Sequence, residues 1–167
     1  MNTYFMRILT SLLITFMAAL ASAQETSVTL SVNGKPALLL QVPSEARITS
    51  SNAYVNIHTT NMSLHVWAVP NAKTANDALS RTGDLIKTEF IKFKPAAIKD
   101  LVIAGASAIH VTGAGNEADD GDPGNAEVVL FVVGDQVFAG CVHGEFDDAS
   151  RARAPMMAVL KTAHAPP

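Results

Sequence analysis

Two histidines, His58 and His65, flank a predicted turn and are the first candidates for metal chemistry. Residues on both sides of segment 59–62 alternate between apolar and polar, so we expect a β-hairpin with the two imidazoles facing each other across it. Imidazoles, together with the Met62 thioether, are ligands for copper or zinc. Such a site needs a third or fourth ligand, which the neighbouring sequence does not supply. The alternative is a pair of surface histidines.

The acidic segment 116–122 (NEADDGD) is a second candidate for metal binding. Carboxylate oxygens are the preferred ligands of hard cations such as calcium. The segment lacks both the D-x-[DN]-x-[DN]-G spacing and the glutamate at position twelve that define an EF-hand loop. We therefore expect any calcium affinity to be weak, and a solvated surface loop is the alternative.

The single cysteine, Cys141, stands two residues before His143 in a predicted strand, so both side chains should lie on one face. A neighbouring imidazole can lower a thiol pKa and activate a nucleophile. Residues two apart on a strand are usually too distant for a good hydrogen bond, and no nucleophile signature surrounds Cys141. We expect Cys141 to be a small buried core residue.

Motifs with well-known chemistry are absent from the sequence. There is no G-x-S-x-G nucleophile elbow, H-E-x-x-H helix, P-loop or G-x-G-x-x-G turn. Tyr54 and Trp67 lie on predicted strands, where we expect structural roles. We therefore assign no catalytic, cofactor-binding or metal-binding residue from the sequence, predict no cofactor, and expect a protein that is not an enzyme.

These candidates must be positioned by a mostly antiparallel sheet. Alternation of apolar and polar residues predicts strands at residues 26–32, 37–42, 54–58, 64–69, 98–112 (98–104 and 108–112, broken by Gly105), 127–133 and 136–143. Asn33-Gly34 and Gly134-Asp135 are expected hairpin turns. The run 128–133 is apolar on both faces, which is typical of a central strand. Residues 113–125 are predicted to form a loop.

Two helices complete the predicted fold. The first begins at Thr74, which with Asp77 resembles a capping box, and its helical spacing of apolar residues continues to Pro95. The second begins at Asp147 or Asp148, and Pro155 should kink it or delay its start. We predict an α+β fold in which two main helices cover a mostly antiparallel sheet in a sandwich, ordered β-β-β-β-α-β-β-β-α, as one domain over residues 24–167.

Residues 1–23 are predicted to be a signal peptide. Arg7 is followed by a 13-residue uncharged run, 8–20, which is shorter than the roughly 20 residues of a membrane-spanning helix. Ala21 and Ala23 form the small-x-small pattern that marks a cleavage site. An uncleaved membrane anchor is the alternative. We expect a periplasmic or secreted protein with no membrane span after cleavage.

Composition limits the classes of partner and the sources of stability. The 167 residues are 49% hydrophobic and include 12 basic and 15 acidic residues, a formal net charge of −3. Loss of Arg7 with the signal peptide leaves 11 basic and 15 acidic residues, a net charge of −4. This balance gives no support for nucleic-acid binding. One cysteine makes no internal disulfide, so the core must supply the stability.

The order of elements resembles the PsbP-like superfold, which includes photosystem II PsbP subunits, a yeast Ran-binding nuclear-import factor and bacterial exported proteins. The resemblance rests on the opening strand 38–43 (LLLQVP), the helix around 77–93 and the paired strands 128–133 and 137–143. It implies a sheet-and-helix sandwich that serves as a binding or scaffold module, and it identifies no partner-binding residues.

The predicted function is therefore that of an exported non-enzymatic binding or scaffold module for an unknown protein or envelope component. The first alternative is a weak metal-binding exported protein that uses the acidic segment 116–122 or the His58/His65 hairpin. A hydrolase with Cys141 as its nucleophile is a third hypothesis.

Overall fold

A computed structural model describes residues 25–145 and 147–167, which form an α+β fold. Its strands are β1 (Glu25–Val32), β2 (Lys35–Pro43), β3 (Arg47–Ser51), β4 (Tyr54–Thr59), β5 (Met62–Ala68), β6 (Phe90–Ile103), β7 (Ala106–Glu117), β8 (Pro123–Val133) and β9 (Gln136–Glu145). Its helices, all short, are α1 (Ala75–Leu79), α2 (Thr82–Ile86) and α3 (Asp148–Leu160).

Seven strands form one antiparallel sheet in the order β3-β4-β5-β9-β8-β7-β6, and β1 and β2 form a separate two-stranded sheet. Two apolar clusters cover the faces of the large sheet. One contains side chains of the β1–β2 hairpin and of α3, and the other contains side chains of α1 and α2. The predicted α+β class and the antiparallel sheet are confirmed.

Strand β8 lies within the sheet, as its sequence predicts. Val129 and Phe131 belong to the cluster under α3, whereas Val128 and Leu130 belong to the cluster under α1 and α2. All four side chains are fully buried. The uninterrupted apolar run therefore reflects a strand covered on both faces.

The first predicted helix is wrong in its length. The capping box is present, because Asp77 N–H donates to Thr74 Oγ1 and the Asp77 carboxylate accepts from Thr74 N–H. The helical segment is divided into α1 and α2, and from Phe90 onward the chain is strand β6. The prediction fails because the Phe90 and Phe93 side chains pack over glycines of the neighbouring strand instead of along a helix.

Those glycines also explain why the predicted loop at residues 113–125 is wrong. A Cβ atom on Gly113 would lie 2.5 Å from the Phe93 ring, and one on Gly115 would lie 2.5 Å from the Phe90 ring. Glycine is therefore required by the close approach of β6, not by a loop. The strands extend to Glu117 and resume at Pro123, which leaves a short turn.

Two further differences concern β3 and α3. Strand β3 was not predicted, because its sequence RITSS is polar and it pairs along one side only, at the edge of the sheet. The predicted C-terminal helix is confirmed, but Pro155 lies inside one continuous helix and does not delay its start.

The predicted signal peptide, residues 1–23 with Ala21 and Ala23, lies outside the described residues and stays a prediction. Within residues 25–145 and 147–167, no helix is both long and apolar enough to cross a bilayer.

A buried ionic cluster attaches α3 to the sheet. Glu127 is only 3% exposed, and its carboxylate accepts hydrogen bonds from His110 Nε2 at 2.7 Å and from the Arg153 guanidinium. Burial raises the pKa of Glu127, but the hydrogen bonds from His110 and Arg153 outweigh it, so the pKa lies below its ordinary value of 4.5. Glu127 is therefore stabilised as a carboxylate in the folded protein.

We predict that the Glu127 cluster makes stability sensitive to acid. A lowered folded-state pKa contributes stability above the unfolded-chain pKa, and that contribution is lost as the pH falls through the folded-state value. Glu127→Gln should lower the free energy of unfolding by about 1–3 kcal/mol at pH 7. Below pH 5, stability should fall less steeply in the variant than in the wild type, as measured by urea unfolding.

The matched control is Asp148→Asn, which removes an ion pair whose side chains, Asp148 and Arg151, are 62% and 74% exposed. Exposed pairs contribute little, so this variant should resemble the wild type. Equal effects of the two substitutions would contradict the role assigned to Glu127.

Candidate metal site

Three side chains from distant parts of the chain converge at one end of the seven-stranded sheet. His65 lies on β5, Glu89 lies in the turn before β6, and His143 lies on β9. One potential ligand atom from each residue lies within 4.8 Å of the other two. Two imidazoles and one carboxylate at this separation are a ligand set for a transition metal.

The pairing of β5 with β9 brings the two histidines together. His65 lies opposite Cys141 in this pair, and His143 follows Cys141 by two residues, so all three point to the same face. The imidazole centroids of His65 and His143 are 5.3 Å apart. The rings are therefore neighbours although 78 residues separate them in the chain.

The Glu89 carboxylate lies between the imidazoles. The Glu89 N–H donates to the Ile86 carbonyl and the Glu89 carbonyl accepts from Ala118 N–H, both at 2.9 Å, which holds the turn in place. Glu89 Oε1 is 3.5 Å from His65 Nδ1, and Oε2 is 4.0 Å from His143 Nε2. Ligands bound tetrahedrally to zinc at 2.0–2.1 Å would be about 3.3 Å apart. The distance from Glu89 to His65 is already close to this value, and the other separations, which are up to 4.8 Å, would have to shorten on binding.

His65 takes part in a chain of hydrogen bonds with polar residues of β4 and β5. Tyr54 O–H donates to His65 Nδ1 at 2.9 Å, His65 Nε2–H donates to Ser63 Oγ at 3.3 Å, and Ser63 Oγ–H donates to Asn56 Oδ1. Burial lowers the pKa of His65, the Glu89 charge opposes this, and His143 adds to the lowering. The net decrease favours the neutral form, which is the form that binds metals.

His143 presents an unpaired nitrogen to Glu89. Its Nδ1–H donates to Glu117 Oε2 at 2.7 Å. Among the described residues, no hydrogen-bond partner meets its buried Nε2 atom, and the same holds for Glu117 Oε1. A buried polar atom without a partner is costly. Here the atom is a ring nitrogen 4.0 Å from Glu89 Oε2, in a group with two other potential ligands.

The predicted His58/His65 pairing is wrong. In the β4–β5 pair, Asn56 lies opposite His65 and Ser63 lies opposite His58, so the imidazoles do not face each other directly. His58 is exposed, and Met62 is buried in the cluster on the other face of the sheet. The sequence identifies the hairpin correctly, but the pairing of β5 with β9 places His65 beside His143 instead.

The acidic segment 116–122 consists of the end of β7 and the turn that follows it, and hydrogen bonds within the segment hold this turn. Asp119 Oδ1 accepts from Asp120 N–H at 3.0 Å, and Asp120 Oδ1 accepts from Asp122 N–H at 2.9 Å. In the part of the chain that the structure describes, these aspartates are exposed and no three of them converge as ligands. Glu117 belongs to the segment but points toward His143.

Cys141 is fully buried in the cluster under α1 and α2, which confirms its predicted place in the core. Burial raises the pKa of the thiol, and the charges of Glu89 and Glu117 raise it further. The thiol is therefore held in its protonated form beside the candidate site.

Sequence reasoning misses Glu89, which it places on the first helix, and includes Glu117 only as a possible calcium ligand of the acidic segment 116–122. No local pattern indicates that either residue lies beside His143, because the β5–β9 and β6–β7 pairings that bring them together join residues distant in sequence.

The sequence matches no known family model and no curated protein. Solved structures do match. The cyanobacterial PsbP protein (CyanoP) of Synechocystis sp. PCC 6803 is 12% identical with a TM-score of 0.57, and the match covers 89% of this chain and 96% of that one. LpqN of Mycobacterium tuberculosis, described as involved in cell envelope biogenesis, is 16% identical with a TM-score of 0.50, covering 86% and 91%. The chain therefore has a PsbP-like fold.

Proposed function

We propose that this chain is an exported, non-enzymatic protein that binds a divalent transition-metal ion through His65, Glu89 and His143. The observation that carries the proposal is the buried Nε2 atom of His143, which has no hydrogen-bond partner within residues 25–145 and 147–167 and lies in a group whose ligand atoms, from His65, Glu89 and His143, are within 4.8 Å of one another. A purely structural histidine at this depth would normally have both ring nitrogens satisfied.

The ligand set selects the class of metal. Imidazole nitrogens suit zinc, copper and nickel, whereas calcium and magnesium require oxygen ligands. Two histidines and one glutamate match a tetrahedral zinc site with a fourth position for water or an external ligand. We therefore take zinc as the probe, with copper as the competitor expected to bind more tightly by the general order of metal affinities.

Binding requires one local rearrangement. The Tyr54 hydroxyl donates to His65 Nδ1, the same nitrogen that lies 3.5 Å from Glu89. A metal ion at this nitrogen displaces that hydrogen bond, at a cost of about 1 kcal/mol. The hydrogen bond from His65 Nε2–H to Ser63 is unaffected and keeps the ring oriented.

Export and a non-enzymatic role have separate support. The predicted signal peptide indicates a periplasmic or secreted protein, and LpqN, a protein of similar fold, is involved in cell envelope biogenesis. The strongest nucleophile candidate, Cys141, is buried with a raised thiol pKa, and a protonated thiol is a poor nucleophile.

Strand β6 supports a second candidate function, the binding of an extended segment of another protein. β6 is at the edge of the sheet, and its Ile98 and Val102 side chains are 53% and 64% exposed. Both lie on the same face because they are four residues apart on a strand. An exposed edge with apolar side chains can pair with a strand of a partner.

The metal proposal predicts stoichiometric zinc binding that depends on the three ligands. Calorimetry of chelator-treated protein should give one zinc site, and free zinc at 100 times the dissociation constant should stabilise the fold by about 2.7 kcal/mol. His143→Ala and Glu89→Gln should abolish the heat and the rise in melting temperature. His58→Ala, at an exposed histidine outside the site, should bind like the wild type.

Millimolar calcium serves as a second control and should leave the melting temperature unchanged. An absence of heat and of stabilisation with both zinc and copper would overturn the proposal. A loss of binding in His58→Ala equal to that in His143→Ala would place the site elsewhere.

We predict that Cys141 does not react in the folded protein. Because burial blocks access and raises the thiol pKa, alkylation by iodoacetamide at pH 8 should be slow in buffer and rapid in denaturant. Mass spectrometry of the labelled protein measures both rates. Rapid labelling under native conditions would support the thiol-hydrolase hypothesis instead.

The edge-strand proposal predicts that the double substitution Ile98→Thr and Val102→Thr weakens the capture of a partner from an envelope extract. Threonine keeps β propensity, so the melting temperature should stay within a few degrees of the wild-type value. Thr49→Ala on β3, the opposite edge, is the control. Capture that is equally strong in all three proteins would exclude β6 as the binding edge.

A further inference from the structure

We propose that Glu117 is a positioning residue for the metal site, because it holds the His143 imidazole in the tautomer whose Nε2 lone pair faces Glu89. This inference rests on the proposed metal site and adds a fourth residue to it. Glu117 Oε2 is 2.7 Å from His143 Nδ1, on the opposite side of the ring from Nε2.

The backbone of Glu117 is fixed where β7 ends. Its N–H donates to the Asp122 carbonyl at 2.8 Å, and its carbonyl accepts from Gly121 N–H at 3.1 Å. In the β6–β7 pair, Glu117 lies opposite Phe90, the residue after Glu89. The pairing of β6 with β7 therefore brings the ligand carboxylate of Glu89 and the positioning carboxylate of Glu117 to the same histidine, His143.

A carboxylate at Nδ1 has two effects on an imidazole ligand. It accepts the single N–H of the neutral ring, which leaves Nε2 as the lone pair, and it makes that lone pair a stronger donor to a metal. Removal of such partners typically lowers metal affinity 10–100-fold.

The second carboxylate–histidine pair of this protein, Glu127 and His110, has a structural role and serves as a comparison. Both oxygens of Glu127 are hydrogen-bonded, by His110 and Arg153. In contrast, Glu117 is 86% buried with no partner for Oε1 among the described residues. A carboxylate that serves only stability would have a hydrogen bond to this oxygen as well. A carboxylate that orients His143 needs only the hydrogen bond to Oε2.

The test compares Glu117→Ala and Glu117→Gln with the wild type. Zinc affinity by competition with a chromophoric chelator should fall 10–100-fold in Glu117→Ala. Glu117→Gln keeps an oxygen that accepts from Nδ1–H, so it should lose less than 10-fold. Glu145→Gln, which removes an exposed negative charge from the same strand as His143, should bind like the wild type.

A second readout needs no metal. Long-range ¹H–¹⁵N spectra of the metal-free protein at pH 8 should show His143 protonated at Nδ1 in the wild type and in Glu117→Gln, and this preference should be lost in Glu117→Ala. Melting temperatures show whether each variant is folded, and if Glu117→Ala is not, the tautomer of His143 in the wild-type protein provides the answer without a variant.

The outcomes separate the two proposals. If the wild type binds no zinc, the proposed function is wrong and the role of Glu117 falls with it. If the wild type binds zinc, but a folded Glu117→Ala matches it in both affinity and tautomer, or His143 of the metal-free wild type carries its proton on Nε2, then only the positioning role is wrong.

Discussion

The antiparallel pairing of β5 with β9 is the contact on which the large sheet and its candidate site depend. It joins the β3-β4-β5 meander to the β9-β8-β7-β6 meander through four residue pairs, from His65↔Cys141 to Ala68↔Phe138. The same register determines that His65 and His143 share a face. A shift of one residue would turn His65 to the opposite face. The fold and the site therefore have a common cause.

The polar cluster beside the β5–β9 pairing is surrounded by apolar side chains of the sheet. It consists of two imidazoles and the carboxylates of Glu89 and Glu117. It borders Phe90 and Cys141, which belong to the cluster under α1 and α2. Burying titratable groups there opposes folding unless their hydrogen bonds or a bound ion compensate. Glu127 has such compensation from His110 and Arg153, whereas His143 Nε2 does not. This contrast is the physical basis for assigning a metal to one cluster and a structural role to the other.

Local patterns in the sequence predict most strands, both helix starts and the PsbP-like order of elements, because alternation and capping depend on neighbouring residues. The errors arise where contacts distant in sequence decide the structure. Gly113 and Gly115 indicate a loop locally, but they are strand residues that accommodate the rings of Phe93 and Phe90. The candidate site was missed for the same reason: His65 was matched with its hairpin neighbour, and no local rule pairs it with a residue on β9.

X-ray absorption at the zinc edge of the loaded protein identifies the ligand atoms themselves. We predict two imidazole nitrogens at 2.0–2.1 Å and one carboxylate oxygen at 2.0–2.2 Å, with the remaining position filled by a light atom. His143→Ala protein that is loaded and desalted in the same way should retain no zinc. A shell of oxygen atoms without imidazole scattering, or a sulfur at 2.3 Å, would contradict the site formed by His65, Glu89 and His143.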